Sequence, residues 1–562
     1  MIKINKDKLL FHLQGKETSY VMQVLEGGYL AHLYYGKRIN EYRGSNKILY
    51  MDRGFAPNPT PSNRTFSLDT IPQEYQAFGN GDFRIPAYQV KLENGTRITD
   101  LRFHGYRVYQ GKSPLEGLPA TYANEESECE TLEIDLRDEL TGLKATLSYS
   151  LFAERDVITR SVKFFNEGNE SLQLVRALSM SVDFRDSDFE MITLYGAHNN
   201  EKNFNRRKIV SGIQMVDSAR GASSPHQAPF VALVREGTTE DSGEVYAFNL
   251  VYSGNFTASV QVDPYQNTRV SMGINPFDFS WLLKPNDSFQ TPEVVMVYSN
   301  RGLGGMTHKY HQLYLNNLCR GTFKYKTRPI LINNWEATYF DFDEDKILEI
   351  AREGQQLGME LFVLDDGWFG KRDDDNTSLG DWVVDKRKLP HGLKSLAHKI
   401  IEMGLEFGLW FEPEMVSVES DLYKAHPDWC IHVPNRSYTY GRNQLVLDLS
   451  RQDVRDYVVD SVATILNSAP ITYVKWDMNR HITDIGSAML PANQQEETSH
   501  RYMLGLYEVM DRLTTKFPNI LFESCSSGGG RFDPGCFTTC HRHGQVITQM
   551  LSAVQKFSMG RV

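Results

Sequence analysis

The feature that most limits the fold of this chain is a change of rhythm after Arg328, where short apolar runs begin to alternate with helix-spaced segments. PILINNW is an apolar run. Asp343 stands where it can cap a helix whose apolar positions Ile347, Leu348, Ile350 and Ala351 recur at helical spacing, and Gly358 can end it. MELFVLDDGW reads as a strand, and HGLKSLAHKIIEMG as a helix leading into EFGLWFEPEM. QLVLDLS comes next, and Ser450 and Asp453 have the spacing of a capping box at the start of RQDVRDYVVDSVATILNS. ITYVKWD and NILFESC are strands on either side of a long helix over about 494–516, which makes six βα-type strands in all.

Alternating units of this kind imply a parallel sheet, and right-handed crossovers leave two main solutions, an open doubly wound sheet or a closed (β/α)8 barrel. The acidic residues decide between them. Asp365, Glu412, Asp448, Asp477 and Glu523 fall at the carboxyl ends of successive strands, together with Trp335, Trp368 and Trp410. In a barrel those ends ring one mouth, whereas an open sheet gathers its ligand groups at a single crevice. The expected fold is therefore a barrel. Before about residue 320 the pattern is period-two alternation, as in ATLSYSLFAERDVITRSVKFFNEG, broken by turns such as Glu93-Asn94-Gly95 and Asn166-Glu167-Gly168. That half reads as a large antiparallel β-sandwich.

The composition excludes several classes of function. With 60 Lys+Arg against 71 Asp+Glu the chain carries a net charge of −11 and lacks the basic footprint of a nucleic-acid binder. MIKINKDKLLFHLQGKETSY has no apolar core of a secretory signal, and no stretch approaches the roughly 18 apolar residues of a membrane span. The six cysteines are too sparse for a disulfide framework and lack zinc spacing, so a reducing cytoplasm is the expected location. Neither metal nor organic cofactor is expected. The run Asp373, Asp374, Asp375 lacks the Gly and Glu of an EF-hand and reads as a solvated loop, and Gly528-Gly529-Gly530 lacks the P-loop Lys-Ser/Thr. Cys525 has no His beside it and reads as a buried or substrate-touching thiol.

Carboxylates accept hydrogen bonds from hydroxyls, and aromatic faces pack on the C–H face of a pyranose, so the expected mouth suits a sugar. Trp335 and Trp410 are candidate walls, with barrel packing as the alternative use of each ring. Glycoside hydrolysis needs two carboxyl groups whose separation sets the stereochemistry. In YVKWD, alternation puts Lys475 and Asp477 on one side of the strand, where the cation would keep Asp477 ionised for attack. A single strand-end carboxylate is more often a cap or an ion-pair partner; five at equivalent positions argue for a site.

The segments RGFAPNP, NNWEATYFDF, FVLDDGWFGKRDDD, GLWFEPEMVS, LVLDLS, YVKWDMNR and ESCSSGGGRFDPG, between residues 51 and 535, resemble glycoside hydrolase family 36, bacterial α-galactosidases acting on melibiose and raffinose-type sugars. The resemblance implies a β-supersandwich, a catalytic (β/α)8 barrel, a small C-terminal β domain and commonly a homotetramer. It implies that Asp477 is the nucleophile of a retaining mechanism, forming a covalent galactosyl ester. Asp365 and Asp366 resemble the pair that holds galactose hydroxyls and favours an axial 4-hydroxyl. Arg442, Lys475, Asn479 and Cys525 match other sugar contacts, and Asp52 resembles a residue that reaches a neighbouring subunit's site. YGAHNNEKNF, around His198, departs from the pattern, because relatives commonly place a tryptophan there.

After Gly535 the resemblance stops, and the chain reads CFTTCHRHGQVITQMLSAVQKFSMGRV. Codons can be chosen for this tail so that a second frame reads MLYYMPQTWTSDHPDAVSRPKIQYGTS, whose first half is what the family would carry next. The tail is therefore expected to be a frameshift product, with the general acid/base aspartate of the restored frame falling at position 547, where this chain has Ile547. The expected organisation is a β-sandwich over 1–325, a truncated barrel of about six strands over 326–535, and a tail over 536–562, with the C-terminal domain missing. Asp533 is expected to be a turn residue ahead of Pro534 rather than a substitute proton donor. Two functions are open to such a chain: an exo-α-galactosidase acting through Asp477, or an inactive remnant that only binds galactosides.

Overall fold

The computed structural model describes residues 1–42, 48–540 and 542–543. The N-terminal half is antiparallel, as its alternation predicts: a four-stranded meander over Ile2–Lys37, a six-stranded sheet and a ten-stranded sheet. Leu132, Leu147 and Phe248 of the ten-stranded sheet share one core with Met180, Val260 and Met272 of the six-stranded one, which makes the pair a sandwich. The opposite face of the ten-stranded sheet is partly covered by α1 (Gly302–Asn317), whose Met306, Tyr310 and Leu313 pack on Val245, Val295 and Val297.

Beyond α1 the chain forms one parallel sheet from β1 (Leu331–Asn333), β2 (Leu361–Leu364), β3 (Glu406–Phe411), β4 (Tyr473–Trp476), β5 (Leu521–Ser524) and β6 (Arg542–His543). Neighbours in the sheet follow the order of the chain without reversal. A doubly wound sheet would reverse its order at a switch point. The connecting helices are α2 (Glu344–Gln356), α3 (Gly392–Glu402), α4 (Gln452–Ser468) and α5 (Thr498–Lys516). Asp343 caps α2 by accepting from the Lys346 N–H at 2.9 Å, and Gly358 ends it at φ +86°. Among the described residues, no helix is long and apolar enough to cross a membrane.

Two expectations change here. QLVLDLS does not join the parallel sheet: its Leu445–Val446 pairs antiparallel with Met415–Val416, and β3 bonds directly to β4. The sixth strand of the sheet is β6, beyond residue 535. Nor does Ser450 cap α4. The Asp448 carboxylate is a stronger acceptor and takes the Ser450 hydroxyl at 2.5 Å, while Asp453 is held by Arg451 at 2.8 Å. Asp448 also accepts from Ser487 Oγ at 2.5 Å, so it knots two loops together instead of ending a sheet strand.

The two halves are bolted together by polar groups. Asp533 is more than a turn residue: it is buried and accepts hydroxyl hydrogen bonds from Ser223 (2.6 Å) and Ser253 (2.7 Å) of the sandwich. His500 of α5 is enclosed by Phe279, Trp281 and Phe289, and its Nδ1 lies 2.9 Å from the Tyr252 hydroxyl. Burial pushes this imidazole down to about 3 from an ordinary 6.5. Between those values the unfolded chain binds the extra proton, so stability falls as pH drops from 6.5 toward 3, by about 1.4 kcal/mol per unit for this one group. His500→Phe is expected to flatten the acid-side decline of the melting midpoint between pH 6.5 and 4.5. An unchanged slope in scanning calorimetry would assign that decline to other groups.

Candidate active site

The carboxyl ends of β1 to β5 bring together most of the residues singled out in the sequence. Asp365, just past β2, accepts from Lys475 Nζ of β4 at 2.8 Å and from the Asn333 side chain of β1, and its own N–H donates to Asn334 Oδ1 at 2.8 Å. Asp366 is buried and gripped by both arms of Arg372 at 3.0 Å, with Arg442 4.0 Å away. Burial pushes the Asp366 carboxyl up, and the Arg372 guanidinium opposes that shift. Arg442 has a left-handed backbone (φ +49°) and carries its guanidinium 5.8 Å from the Trp335 ring, whose indole is partly open.

Asp477 follows β4 and is only 5% exposed. Its Oδ2 accepts from Asn479 Nδ2 at 2.8 Å and from Trp410 Nε1 at 3.1 Å, and its Oδ1 from the Met478 N–H at 3.0 Å. Burial alone would raise its pKa. The Lys475 ammonium, with hydrogen bonds from Asn479, Cys525 and Trp410, outweighs burial and holds the group below its usual value. Trp410 itself is 1% exposed, so in this fold it acts on the carboxylate beside it. Cys525 is also buried, and its thiol is pushed well above the ordinary range by burial and then by the Asp477 charge, which keeps it a neutral donor.

Glu412, at the end of β3, is fully buried beside Asp477. One oxygen accepts from the Asn479 N–H at 2.5 Å and from Gln444 Nε2 at 2.7 Å; the other has no hydrogen-bond partner among the described residues. Burial, then the neighbouring Asp477 charge, pushes it up to about 7. Asn479 is thus a bridge, with its Oδ1 receiving Ser527 Oγ at 2.9 Å. Glu414 is saturated by Arg531 (2.8 and 2.9 Å), Trp476 Nε1 (2.8 Å) and the Tyr502 hydroxyl (2.5 Å), and Glu523 is bonded by the Tyr473 hydroxyl. Sequence reasoning missed Arg372, Asn333, Gln444 and Ser527. All four lie inside segments already singled out, NNWEATYFDF, LDDGWFGKR, QLVLDLS and ESCSSGGG, but nothing in their spacing marked them individually.

Two expected residues lie elsewhere. Asp52 is exposed, and the partner it has is Arg64, at 3.1 Å, rather than any of these groups. Position 547 lies outside the described residues. The hairpin Glu190–Ala197/Asn200–Lys208, which carries the His198 departure in its turn, abuts the loop after β5 through Glu201, which accepts from the Gly529 N–H at 3.3 Å.

Comparison with known proteins decides the family. The Melibiase family model matches residues 288–550, and the Glycosyl hydrolase family 36 N-terminal domain matches residues 28–284. The chain is 60% identical to α-galactosidase AgaA of Geobacillus stearothermophilus over 534 residues, which is 95% of this chain and 73% of that one. The chain belongs to the family 36 α-galactosidases. The crystal structure of AgaB from the same organism superposes with a TM-score of 0.97 at 58% identity, covering 99% of this chain and 77% of that one. AgaA variants solved with raffinose and with stachyose each match at TM-score 0.96 and 59% identity, over 98% of this chain and 76% of theirs. A family 36 enzyme is a glycosidase, and the ends of β1 to β5 in this chain gather buried carboxylates of the kind glycoside hydrolysis uses.

Lys475 is the cation that outweighs burial at Asp477. Lys475→Met is therefore expected to move the acidic limb of kcat/KM for an aryl α-galactoside to higher pH, with a loss of 100-fold or more at pH 5 and a smaller loss at pH 7. A uniform loss at both pH values would mean that the ammonium acts on substrate alone.

Proposed function

We propose that this α-galactosidase is an exo-acting, retaining enzyme in which Asp477 attacks the anomeric carbon of a terminal α-linked galactose. The observation that carries the reading is Asp477 itself, buried yet held ionised by Lys475, Asn479, Trp410 and Cys525. In the first step the Asp477 oxygen forms an ester bond to C1 while the bond to the aglycone oxygen breaks; in the second, water opens the ester and releases galactose with its configuration retained. Asp365 and Asp366 hold sugar hydroxyls, which selects the axial 4-hydroxyl. Lys475, Arg442, Asn479 and Cys525 supply further contacts, and Trp335 offers its open ring face. Raffinose and melibiose are the substrates this reading favours, in keeping with the raffinose and stachyose complexes of AgaA variants.

The same reading takes the parallel sheet as part of a (β/α)8 wall, supported by its unreversed strand order. It assigns residues 1–325 to the sandwich domain and 326–535 to the barrel. Asp52 stands at the surface, where it can reach a neighbouring subunit in a homotetramer, and the cytoplasm is the compartment in which six unpaired thiols fit.

The proton donor is the open part of the mechanism, since position 547 holds Ile and lies outside the described residues. That observation favours a second reading, in which the chain forms the ester from an activated substrate but does not turn over. A 2,4-dinitrophenyl 2-deoxy-2,2-difluoro-α-galactoside, whose leaving group needs no acid, separates the readings. The expected result is one galactosyl adduct on the peptide containing Asp477, found by mass spectrometry and absent in Asp477→Asn. With an unfluorinated nitrophenyl α-galactoside, continuous release indicates a working acid, whereas a single burst supports the second reading. No adduct, or an adduct on another residue, removes Asp477 from the role.

A further inference from the structure

The outer face of the sandwich holds a feature the catalytic reading leaves unused. Across three adjacent strands of the ten-stranded sheet, Glu130–Arg137, Leu143–Phe152 and Val157–Asn166, the residues turned away from the core form polar rows: Thr131, Ser150 and Thr159 are in register, and so are Glu133, Ser148 and Ser161. Leu132, Ile134 and Leu147, between them in sequence, face the core. A sheet face exposed to bulk solvent would leave such hydroxyls open to water, but Thr131, Ser150 and Thr159 are each no more than 2% exposed and Ser161 is 5% exposed.

These rows floor a cavity of about 180 Å³, walled on its other side by the segment around Lys112–Glu116. That is the room of about six waters at roughly 30 Å³ each, or of one sugar ring. Thr131 and Ser150 satisfy one another at 2.9 Å, and Ser148 reaches Glu133 at 3.3 Å. The hydroxyls of Thr159 and Ser161 line the cavity with no hydrogen-bond partner among the described residues, although both side chains are more than nine-tenths buried. Neither oxygen is sealed off, so both are left to bond whatever polar molecule fills the cavity.

The charges define its class. Each cation at the rim already has an anion: Lys112 with Glu293 at 2.6 Å, Arg107 with Glu133, and Lys163 with Glu116 at 3.4 Å. An anionic ligand would have to break those pairs, whereas a neutral polyol needs only hydroxyls that both donate and accept. From this geometry we infer that the cavity is a second, non-catalytic binding site for a neutral monosaccharide, with Thr159 and Ser161 as its contacts.

The test is titration of the whole chain with D-galactose and, separately, D-glucose, by calorimetry and saturation-transfer NMR, in an Asp366→Asn background that weakens the catalytic site. One residual site per chain is expected, and Thr159→Val combined with Ser161→Ala should weaken it tenfold or more. Because neither hydroxyl bonds to protein, that double variant should keep its melting midpoint and, with Asp366 intact, its galactosidase kinetics. Absence of a residual site, or binding that the double variant leaves unchanged, overturns the inference. If the Asp366→Asn chain does not fold, stoichiometry on the parent chain gives the answer: two sites per chain, falling to one in the double variant, support it, and one site in both refutes it.

Discussion

A carboxylate removed from water must be repaid in kind, and the arrangement around Asp477 follows from that requirement. The repayment comes from three strands. Lys475, two residues earlier on β4, shares its face of the sheet and brings a cation. Trp410 of β3 brings an indole N–H, and Cys525 after β5 a thiol. Lys475 in turn lies between two anions, with Asp365, just past β2, as its direct partner. A second cation, Arg442, adds its charge near Asp366, Asp477 and Glu412, so these buried carboxylates are matched by more than one positive group. Asp366 has a cation of its own in Arg372.

Glu412 sharpens the point. It ends β3 as Asp477 follows β4, and two buried carboxylates at neighbouring positions cannot both ionise cheaply. Their environments push them apart: Asp477 has the cation and the hydrogen bonds, while Glu412 has two donors on one oxygen and, among the described residues, none on the other. The outcome is a low group beside one raised to about 7. Titration near neutrality then belongs to the pair. Neutralising Asp477 would remove the cause that ranks second in raising Glu412.

Much of this was legible in the sequence because strand ends carry a local signature. An apolar run ending in DD, in FEPE or in KWD announces which residues leave the sheet at its carboxyl edge, and alternation places Lys475 with Asp477. Period-two patterning likewise marks the sandwich. What the sequence hid was pairing. QLVLDLS has the composition of a parallel strand, but its partner, Met415–Val416, is a two-residue antiparallel segment that no pattern marks. Ser450 and Asp453 have capping-box spacing, and the competing acceptor Asp448 becomes visible only when geometry turns the hydroxyl toward it. Arg372, Gln444 and Ser527 are polar residues in loops, where spacing carries no period to read.

The sandwich also takes part in the site. Its hairpin residue Glu201 holds the Gly529 N–H, and its Ser223 and Ser253 hold Asp533, so the loop after β5 is pinned at two points by the N-terminal half. Ser527 lies in that loop and donates to Asn479 Oδ1, while the Asn479 amide donates to Asp477. An amide side chain accepting at one end and donating at the other cannot rotate without losing both bonds. The orientation of the Asp477 carboxylate is thus fixed in part by residues more than 200 positions earlier in the chain. Mobility at the contact between the two halves would reach Asp477 through Ser527 and Asn479.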